Sequence, residues 1–102
     1  MDLRRKAFSG ANLEAADLTE ADLRGATLAS ANLRNAFLTG ARLDDADLDD
    51  ARLDGTYLIA TDFGSARLAG ATFDGATWDQ ATTWPPGFNP PKGDVGLWHG
   101  RR

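Results

Sequence analysis

The chain has 102 residues, a formal net charge of −4 at pH 7 and no cysteine. This length fits one domain, the negative charge argues against a nucleic-acid binder, which normally carries a basic face, and the lack of thiols excludes disulfides and cysteine-ligated metal sites. No apolar segment approaches the length that crosses a bilayer and residues 1–6 lack the apolar core of a signal peptide, so the sequence predicts a soluble, cytoplasmic protein without membrane contact.

From Leu3 to Trp78, every fifth residue is a large apolar side chain. From Ala11 onward, the position two residues before each of them is Ala or, at two places, Thr. At about 100° per residue these positions scatter around a helix axis and form no apolar stripe. A long strand is excluded as well, because its two-residue period breaks at every repeat. The pattern therefore predicts short extended segments, each with one small and one large side chain pointing inward, that are joined by turns.

The second residue after each large apolar position has the composition of a tight turn. It is often Gly and elsewhere mostly Ser, Asn or Asp, which adopt left-handed backbone readily or bond their own main chain. If each turn bends the chain by roughly a right angle, four repeats close a square coil of about twenty residues. Successive coils are then expected to stack at about 4.8 Å through backbone hydrogen bonds, around an interior of Leu and Ala.

Units such as Ala-Asp-Leu-Thr-Glu at 16–20 and Ala-Asp-Leu-Arg-Gly at 21–25 resemble the repeats of the pentapeptide-repeat family, and the resemblance covers roughly residues 1–82. It implies an all-β fold, a right-handed quadrilateral β-helix. About four coils would make a prism about 19 Å tall. Lys6 stands where other repeats have an inward Ala, and burying its ammonium group is costly, so the first coil is predicted to be irregular. Partly exposed apolar residues at that end predict a monomer or a weak end-to-end dimer.

Residues twenty apart are predicted to stack in columns. Asp22, Arg42 and Asp62 would share one column, and Asp47 would lie next to Arg67 in another. Opposite charges are therefore expected to meet across coils, where such pairs help to fix the register. Two inward Ala positions are replaced by Thr56 and Thr61, whose hydroxyl groups are expected to donate to backbone carbonyls.

The regular spacing ends after Ala81, and the next inward position is predicted at Thr83. Residues 83–98 contain all four prolines of the chain and cannot continue a hydrogen-bonded ladder. They are predicted to cap the last coil with the apolar side chains of Trp84, Phe88, Leu97 and Trp98, and residues 99–102 are predicted to form a flexible tail. The alternative interpretation of the prolines is a recognition motif for a partner protein.

Two surfaces are candidate functional sites. Phe37, Tyr57 and Ile59 occupy outward positions that elsewhere are mostly polar or small, which indicates a partner surface. The alternatives are an aromatic pair that only stabilises the sheet, or an apolar patch covered by the C-terminal tail. The second candidate is an acidic patch on the third coil, formed by Asp44, Asp45, Asp47, Asp49, Asp50 and Asp54. It is expected to be a solvated surface; the alternatives are a cation site, which would need six to eight converging oxygens for calcium, and part of a DNA-like charge pattern.

No catalytic, cofactor-binding or metal-binding site is predicted. His99 is the only histidine, and the carboxylates occupy outward positions without a pocket that would shift their pKa values. The sequence therefore predicts a non-enzymatic structural or interaction module with an unidentified protein partner. The family resemblance implies an alternative, a DNA-mimicking modulator of a type II topoisomerase of the quinolone-resistance kind. A prism about six base pairs long, with arginines interrupting its acidic columns, argues against that alternative.

Overall fold

The computed structural model describes residues 1–90. These residues contain neither a helix nor a continuous strand; instead, single residues form parallel β-bridges with residues twenty positions further along the chain. The predicted cap residues Leu97 and Trp98, and the predicted tail 99–102, lie outside the described residues. The bridges form four columns, which define face 1 (Asp2–Asp22–Arg42–Asp62–Thr83), face 2 (Ala7–Thr27–Asp47–Arg67), face 3 (Asn12–Asn32–Arg52–Thr72) and face 4 (Asp17–Phe37–Tyr57–Thr77).

Two backbone hydrogen bonds hold each bridge. At the bridge between Asp22 and Arg42, the amide of Leu23 donates to the carbonyl of Arg42 at 2.8 Å, and the amide of Arg42 donates to the carbonyl of Ala21 at 2.9 Å. The same pair of bonds recurs on all four faces. Because neighbouring coils satisfy each other's main chain, the stack forms a closed ladder without lateral edges.

The corners between faces are β-turns with a left-handed residue in the third position. The amide of Ala26 donates to the carbonyl of Leu23 at 3.0 Å, and Gly25 between them has a φ of 71°. A positive φ recurs at this position in most repeats, also where the residue is not glycine, as at Ala15 (60°) and Ala60 (56°). The predicted turn positions are therefore confirmed, and the corners without glycine, Asn or Asp carry some backbone strain.

The interior consists of the inward side chains alone. Every fifth residue from Leu23 to Leu58 is at most 1% exposed, and the Ala residues beside them are fully buried. Thr56 and Thr61 lie in inward positions and donate their hydroxyl groups to the carbonyls of Leu53 and Leu38, each at 2.7 Å. This confirms the expected role of the two threonines, since a buried hydroxyl without a partner would be costly.

The first coil has the same geometry as the others. Its bridges begin at Asp2 and continue at Ala7, so the prediction of an irregular first coil is wrong. Lys6 is exposed, because its position lies at the rim of the stack, where the ammonium group can remain in water. Phe8 is partly buried, whereas Leu18 is only 7% exposed.

One extra residue after Trp78 shifts the register of the last turn. Thr83 pairs with Asp62, a step of one residue more than elsewhere. The inward position is taken by Thr82, which is 6% exposed and donates its hydroxyl to the carbonyl of Leu58 at 2.7 Å. The prediction of an inward Thr83 is therefore wrong: its side chain points outward and donates to a carboxylate oxygen of Asp62 at 2.7 Å.

As a result of this shift, Trp84 takes the position of the large apolar residue of the repeat and lies over the last coil. Its ring stacks on Phe63 with centroids 4.9 Å apart and an interplanar angle of 12°. Phe88 folds back towards it, 5.4 Å from the Trp84 ring and 6.1 Å from the Phe73 ring. The boundary predicted between residues 82 and 83 thus falls inside a segment that is still hydrogen-bonded to the coil below.

Candidate functional site

Face 4 carries a stacked pair of exposed aromatic rings. Phe37 and Tyr57 are joined by a parallel bridge, and their ring centroids lie 4.8 Å apart at an interplanar angle of 5°. They are 42% and 43% exposed, and within residues 1–90 the only other large hydrophobic residue that is exposed is Met1. Ile59 is half-buried two residues after Tyr57. The prediction that both rings share one column is confirmed; their binding to a partner stays a prediction.

The two rings lie in a charge-free zone of face 4. We call this zone the aromatic patch; it comprises the outward residues of the two middle coils, Phe37, Thr39, Gly40, Tyr57, Ile59 and Ala60. Acidic residues border it on both sides, with Asp17 and Glu20 on the first coil and Asp79 on the last; these three form the acidic frame. Faces 1, 2 and 3 each carry Arg, whereas face 4 has neither Arg nor Lys between residues 16 and 20 or at the equivalent positions of the later coils.

The acidic patch of the third coil does not converge on a point. Its residues are spread over three faces, with Asp44 and Asp45 on face 1, Asp47, Asp49 and Asp50 on face 2, and Asp54 on face 3. On face 2, the guanidinium group of Arg67 lies 2.7 Å from Asp49 and 4.0 Å from Asp47. Within the described part of the chain, no three acidic or histidine side chains are placed to hold a metal ion.

One member of the acidic patch, Asp44, is in an unusual environment. Its Oδ1 is buried and has no hydrogen-bond partner among residues 1–90. It lies beside Asp62 and against Gly64, where a Cβ would collide with the Asp44 carboxylate. Burial raises the pKa of Asp44, and the negative charge of Asp62 raises it further. Gly64 follows Asp44 by twenty residues in the sequence, so the two are neighbours in successive coils. This spacing is the sequence signal for the buried Asp44 carboxylate, because glycine leaves the space that the carboxylate occupies.

Asp44→Asn is expected to stabilise the protein at pH 7. A carboxyl group whose pKa is raised in the folded state favours folding while it is protonated, and that contribution is lost as the pH rises through the folded pKa. The amide keeps the shape without the charge, so the urea midpoint should increase at pH 7 and change little at pH 3. Asp50→Asn, at an exposed corner, is the matched control and should leave the midpoint nearly unchanged. A lower midpoint for Asp44→Asn at pH 7 would contradict this interpretation.

The ion pairs of face 1 differ from those that the columns predict. Asp22, Arg42 and Asp62 do share a column, which confirms the register. However, Asp22 pairs with Arg24 at 2.7 Å and with Arg4 at 3.7 Å, and within residues 1–90 Arg42 forms no ion pair. Hydrogen bonds from the Arg24 side chain and amide lower the pKa of Asp22 to about 2. The predicted pairing at Arg42 is wrong because a residue two positions along the same turn reaches the carboxylate first.

One surface depression lies at the N-terminal rim, where Arg4 is already paired with Asp2 at 3.0 Å; another lies on face 3 beside Phe88, lined largely by residues 71–75. In neither depression does the Lys or Thr side chain donate a hydrogen bond to a carboxylate, the contact that pairs a nucleophile with its base. Residues 1–90 also include no helix able to span a bilayer.

Comparison with known proteins identifies the repeats. Two family models, both described as pentapeptide repeats, match residues 8–45 and 38–82. The pentapeptide repeat protein alr5209 from Nostoc PCC 7120 is 36% identical over 83% of this chain and 78% of its own, with a TM-score of 0.43. A comparison with curated proteins gave no significant match.

Two further solved structures cover less of their own chains. HetL, a pentapeptide repeat protein involved in heterocyst differentiation regulation from Nostoc sp. strain PCC 7120, is 36% identical over 74% of this chain and 37% of its own, with a TM-score of 0.49. QnrB1, a plasmid-mediated fluoroquinolone resistance protein, is 21% identical over 74% of this chain and 49% of its own, with a TM-score of 0.30.

Three observations support the same fold: the bridges at twenty-residue steps, the interior of Leu and Ala, and the repeats matched by the family models. The family models together span most of the bridged residues, and alr5209 matches at substantial identity along most of both chains. The chain therefore belongs to the pentapeptide-repeat family and has a β-helix fold.

Proposed function

We propose that this chain is a non-enzymatic protein-interaction module. In this proposal it is a right-handed square β-helix of about four coils, closed at one end by its proline-rich segment, and it presents the aromatic patch of face 4 to a protein partner. The interior is filled by side chains that are almost fully buried, which leaves only the outer surface for recognition. The exposed stack of Phe37 on Tyr57 is the observation that carries the proposal.

The composition of the patch favours contact over stabilisation alone. A cross-coil aromatic pair adds about 0.2–1 kcal/mol to a sheet, and this needs only the two rings. Around them, however, lie the half-buried Ile59 and the small residues Gly40 and Ala60, so the surroundings are also free of charge. An apolar centre with aromatic anchors and few charges is typical of the core of a protein interface.

The double variant Phe37→Ser/Tyr57→Ser is expected to lose partner binding and stay folded, because both side chains point outward and their removal costs about 1 kcal/mol. The test is affinity capture from a native extract of the source organism, with captured proteins quantified by mass spectrometry. Asn32→Ser/Arg52→Ser, on face 3, is the matched control and should capture the same proteins as the unmodified chain. If the Phe37/Tyr57 variant captures them equally well, the aromatic patch is not the contact surface.

The alternative function, a DNA-mimicking modulator of a type II topoisomerase, has weaker support. DNA presents continuous rows of unneutralised phosphate charge. On this chain, Arg67 pairs with Asp47 and Asp49, and Arg24 pairs with Asp22. These guanidinium groups interrupt the negative surface on two faces, so a partner that recognises DNA would meet a mixed pattern of charge.

A further inference from the structure

We infer that the partner segment that docks on face 4 is basic: an extended stretch of protein with an apolar side chain between Lys or Arg residues. This inference rests on the proposed function and adds the chemistry of the partner. The apolar side chain would lie on the aromatic patch, and the basic residues would pair with the acidic frame of Asp17, Glu20 and Asp79. Three features of face 4 support it.

The first feature is that the two frame carboxylates on the first coil, those of Asp17 and Glu20, are accessible to a partner. Asp17 is exposed and accepts a hydrogen bond from the amide of Thr19 at 3.1 Å, which lowers the pKa of its carboxyl group. Glu20 is exposed as well, and its side chain extends along the corner over Gly40, where an added Cβ would be 3.1 Å from the Glu20 Cγ. Both negative charges therefore border the aromatic patch and face solvent.

The frame carboxylate on the last coil, that of Asp79, is held in place by hydrogen bonds from the main chain. Asp79 accepts hydrogen bonds from the amides of Ala60 at 3.2 Å and Ala81 at 3.1 Å. The ion pairs formed within residues 1–90 involve Asp2, Asp22, Asp47 and Asp49, and none of the three frame residues. Within residues 1–90, face 4 therefore offers three carboxylates and no Arg or Lys of its own to neutralise them.

The second feature is the position of Asp17 directly below the aromatic stack. The amide of Leu18 donates to the carbonyl of Phe37 at 2.8 Å, which fixes Asp17 and Phe37 as neighbours in one column. The rings stack along this column, and Phe37 is 42% exposed; Asp17 below it is shorter than a ring, so part of the Phe37 ring is accessible beside the carboxylate. A guanidinium group placed there would contact both the ring face and the carboxylate, which combines a cation–π contact with an ion pair.

The third feature is the distance between the two ends of the frame. Asp17 belongs to the first coil and Asp79 to the last, so they are separated by three coil spacings, about 14 Å. An extended segment rises about 3.3 Å per residue and covers this distance with four to five residues. Two basic residues with an apolar one between them therefore fit one short segment laid across the coils.

The test uses the full chain and a defined probe, a phage-displayed library of random twelve-residue peptides selected on the immobilised protein. We expect the selected sequences to contain an apolar residue with Lys or Arg on both sides. Synthetic versions should bind about tenfold more weakly to Asp17→Asn/Glu20→Gln, and the affinity should fall with added salt, as expected for exposed charges. Both substitutions keep an acceptor oxygen, so the turn at Asp17 is preserved.

Two comparisons make the outcome decisive. Glu14→Gln/Asp54→Asn removes two charges from face 3 and should leave the affinity within about twofold. Peptides without basic residues, equal binding to Asp17→Asn/Glu20→Gln, or failure to select any peptide would overturn the inference. If peptides lose binding only with Phe37→Ser/Tyr57→Ser, the interaction surface stands and the basic partner does not; if they bind that variant equally well, both are overturned.

Discussion

Replacing Leu48 by Ala is expected to lower the free energy of unfolding by about 4 kcal/mol. Leu48 is fully buried on face 2 between Leu28 and Leu68, which belong to the coils on either side. The backbones of these coils are hydrogen-bonded to each other, so the surrounding backbone cannot move into the cavity that the lost side chain leaves. Under such conditions Leu→Ala substitutions cost the most within their range.

Leu3→Ala is the matched control for this effect. Leu3 is an inward leucine of the first coil, on face 1, where it is only partly buried and has a coil on one side. Its truncation is expected to cost about 1 kcal/mol, since less apolar area is lost and the cavity opens to solvent. Urea denaturation followed by circular dichroism measures both values. Equal losses for Leu3→Ala and Leu48→Ala would contradict the stacked arrangement of the inward side chains.

Trp84→Ala is expected to destabilise the protein by about 3 kcal/mol, the lower part of the range for truncating a large aromatic residue. The Trp84 ring covers Phe63 and contacts Phe73, Trp78 and Phe88. Its loss would expose the end of the apolar interior to water. The change in stability should be visible as a lower midpoint of urea unfolding.

Trp84→Phe separates packing from hydrogen bonding at this position. The indole N–H of Trp84 is buried and has no acceptor within residues 1–90, so a phenyl ring loses area but no hydrogen bond. We expect it to cost about 1 kcal/mol, and Pro86→Ala, at an exposed position of the same segment, to cost less than about 0.5 kcal/mol. If Trp84→Ala unfolds at the same urea concentration as the unmodified chain, Trp84 does not close the coil.

The spacing of the inward residues was predictable because it is a local property repeated many times. A Leu every five residues with Ala two positions earlier excludes helix and long strand, and the twenty-residue columns follow from four corners per coil. This reasoning correctly placed Phe37 next to Tyr57, and Asp22 in one column with Arg42. It worked because each bridged residue of a middle coil has one bridge partner in the coil above and one in the coil below, both twenty residues away.

The end of the repeats was mispredicted because two registers compete there. The regular register would place Ala81 and then Thr83 inward, whereas the observed one buries Thr82 and brings Trp84 over Phe63. The second register puts the indole ring of Trp84 where Thr83 would have been, which is favoured by the apolar area removed from water. The hydroxyl group of Thr82, buried in place of Ala81, donates to the carbonyl of Leu58. Trp84, one residue beyond the regular position, was the available signal.

Side-chain choices between equivalent partners were not predictable from the spacing. Asp22 has Arg42 in the coil above and Arg24 two residues along, and only the structure shows that Arg24 binds it. The burial of Asp44 against Gly64 likewise depends on the turn at that corner, where Gly64 has a φ of 32°. The acidic frame was missed for a different reason: its three residues belong to different columns, and only a comparison of whole faces shows that face 4 has no Arg or Lys within residues 1–90.

The twenty-residue step between bridged residues also restricts how such a chain can change length during evolution. Deleting one five-residue unit between Phe37 and Tyr57 would rotate every later residue by a quarter-turn about the axis of the β-helix. The two rings would then lie on adjacent faces. Deleting or duplicating a whole circuit would leave each wall aligned. Genes that gain repeats in multiples of four units therefore preserve an existing binding face. Insertion of any other number of units separates residues that shared a face and brings new combinations of the same units together.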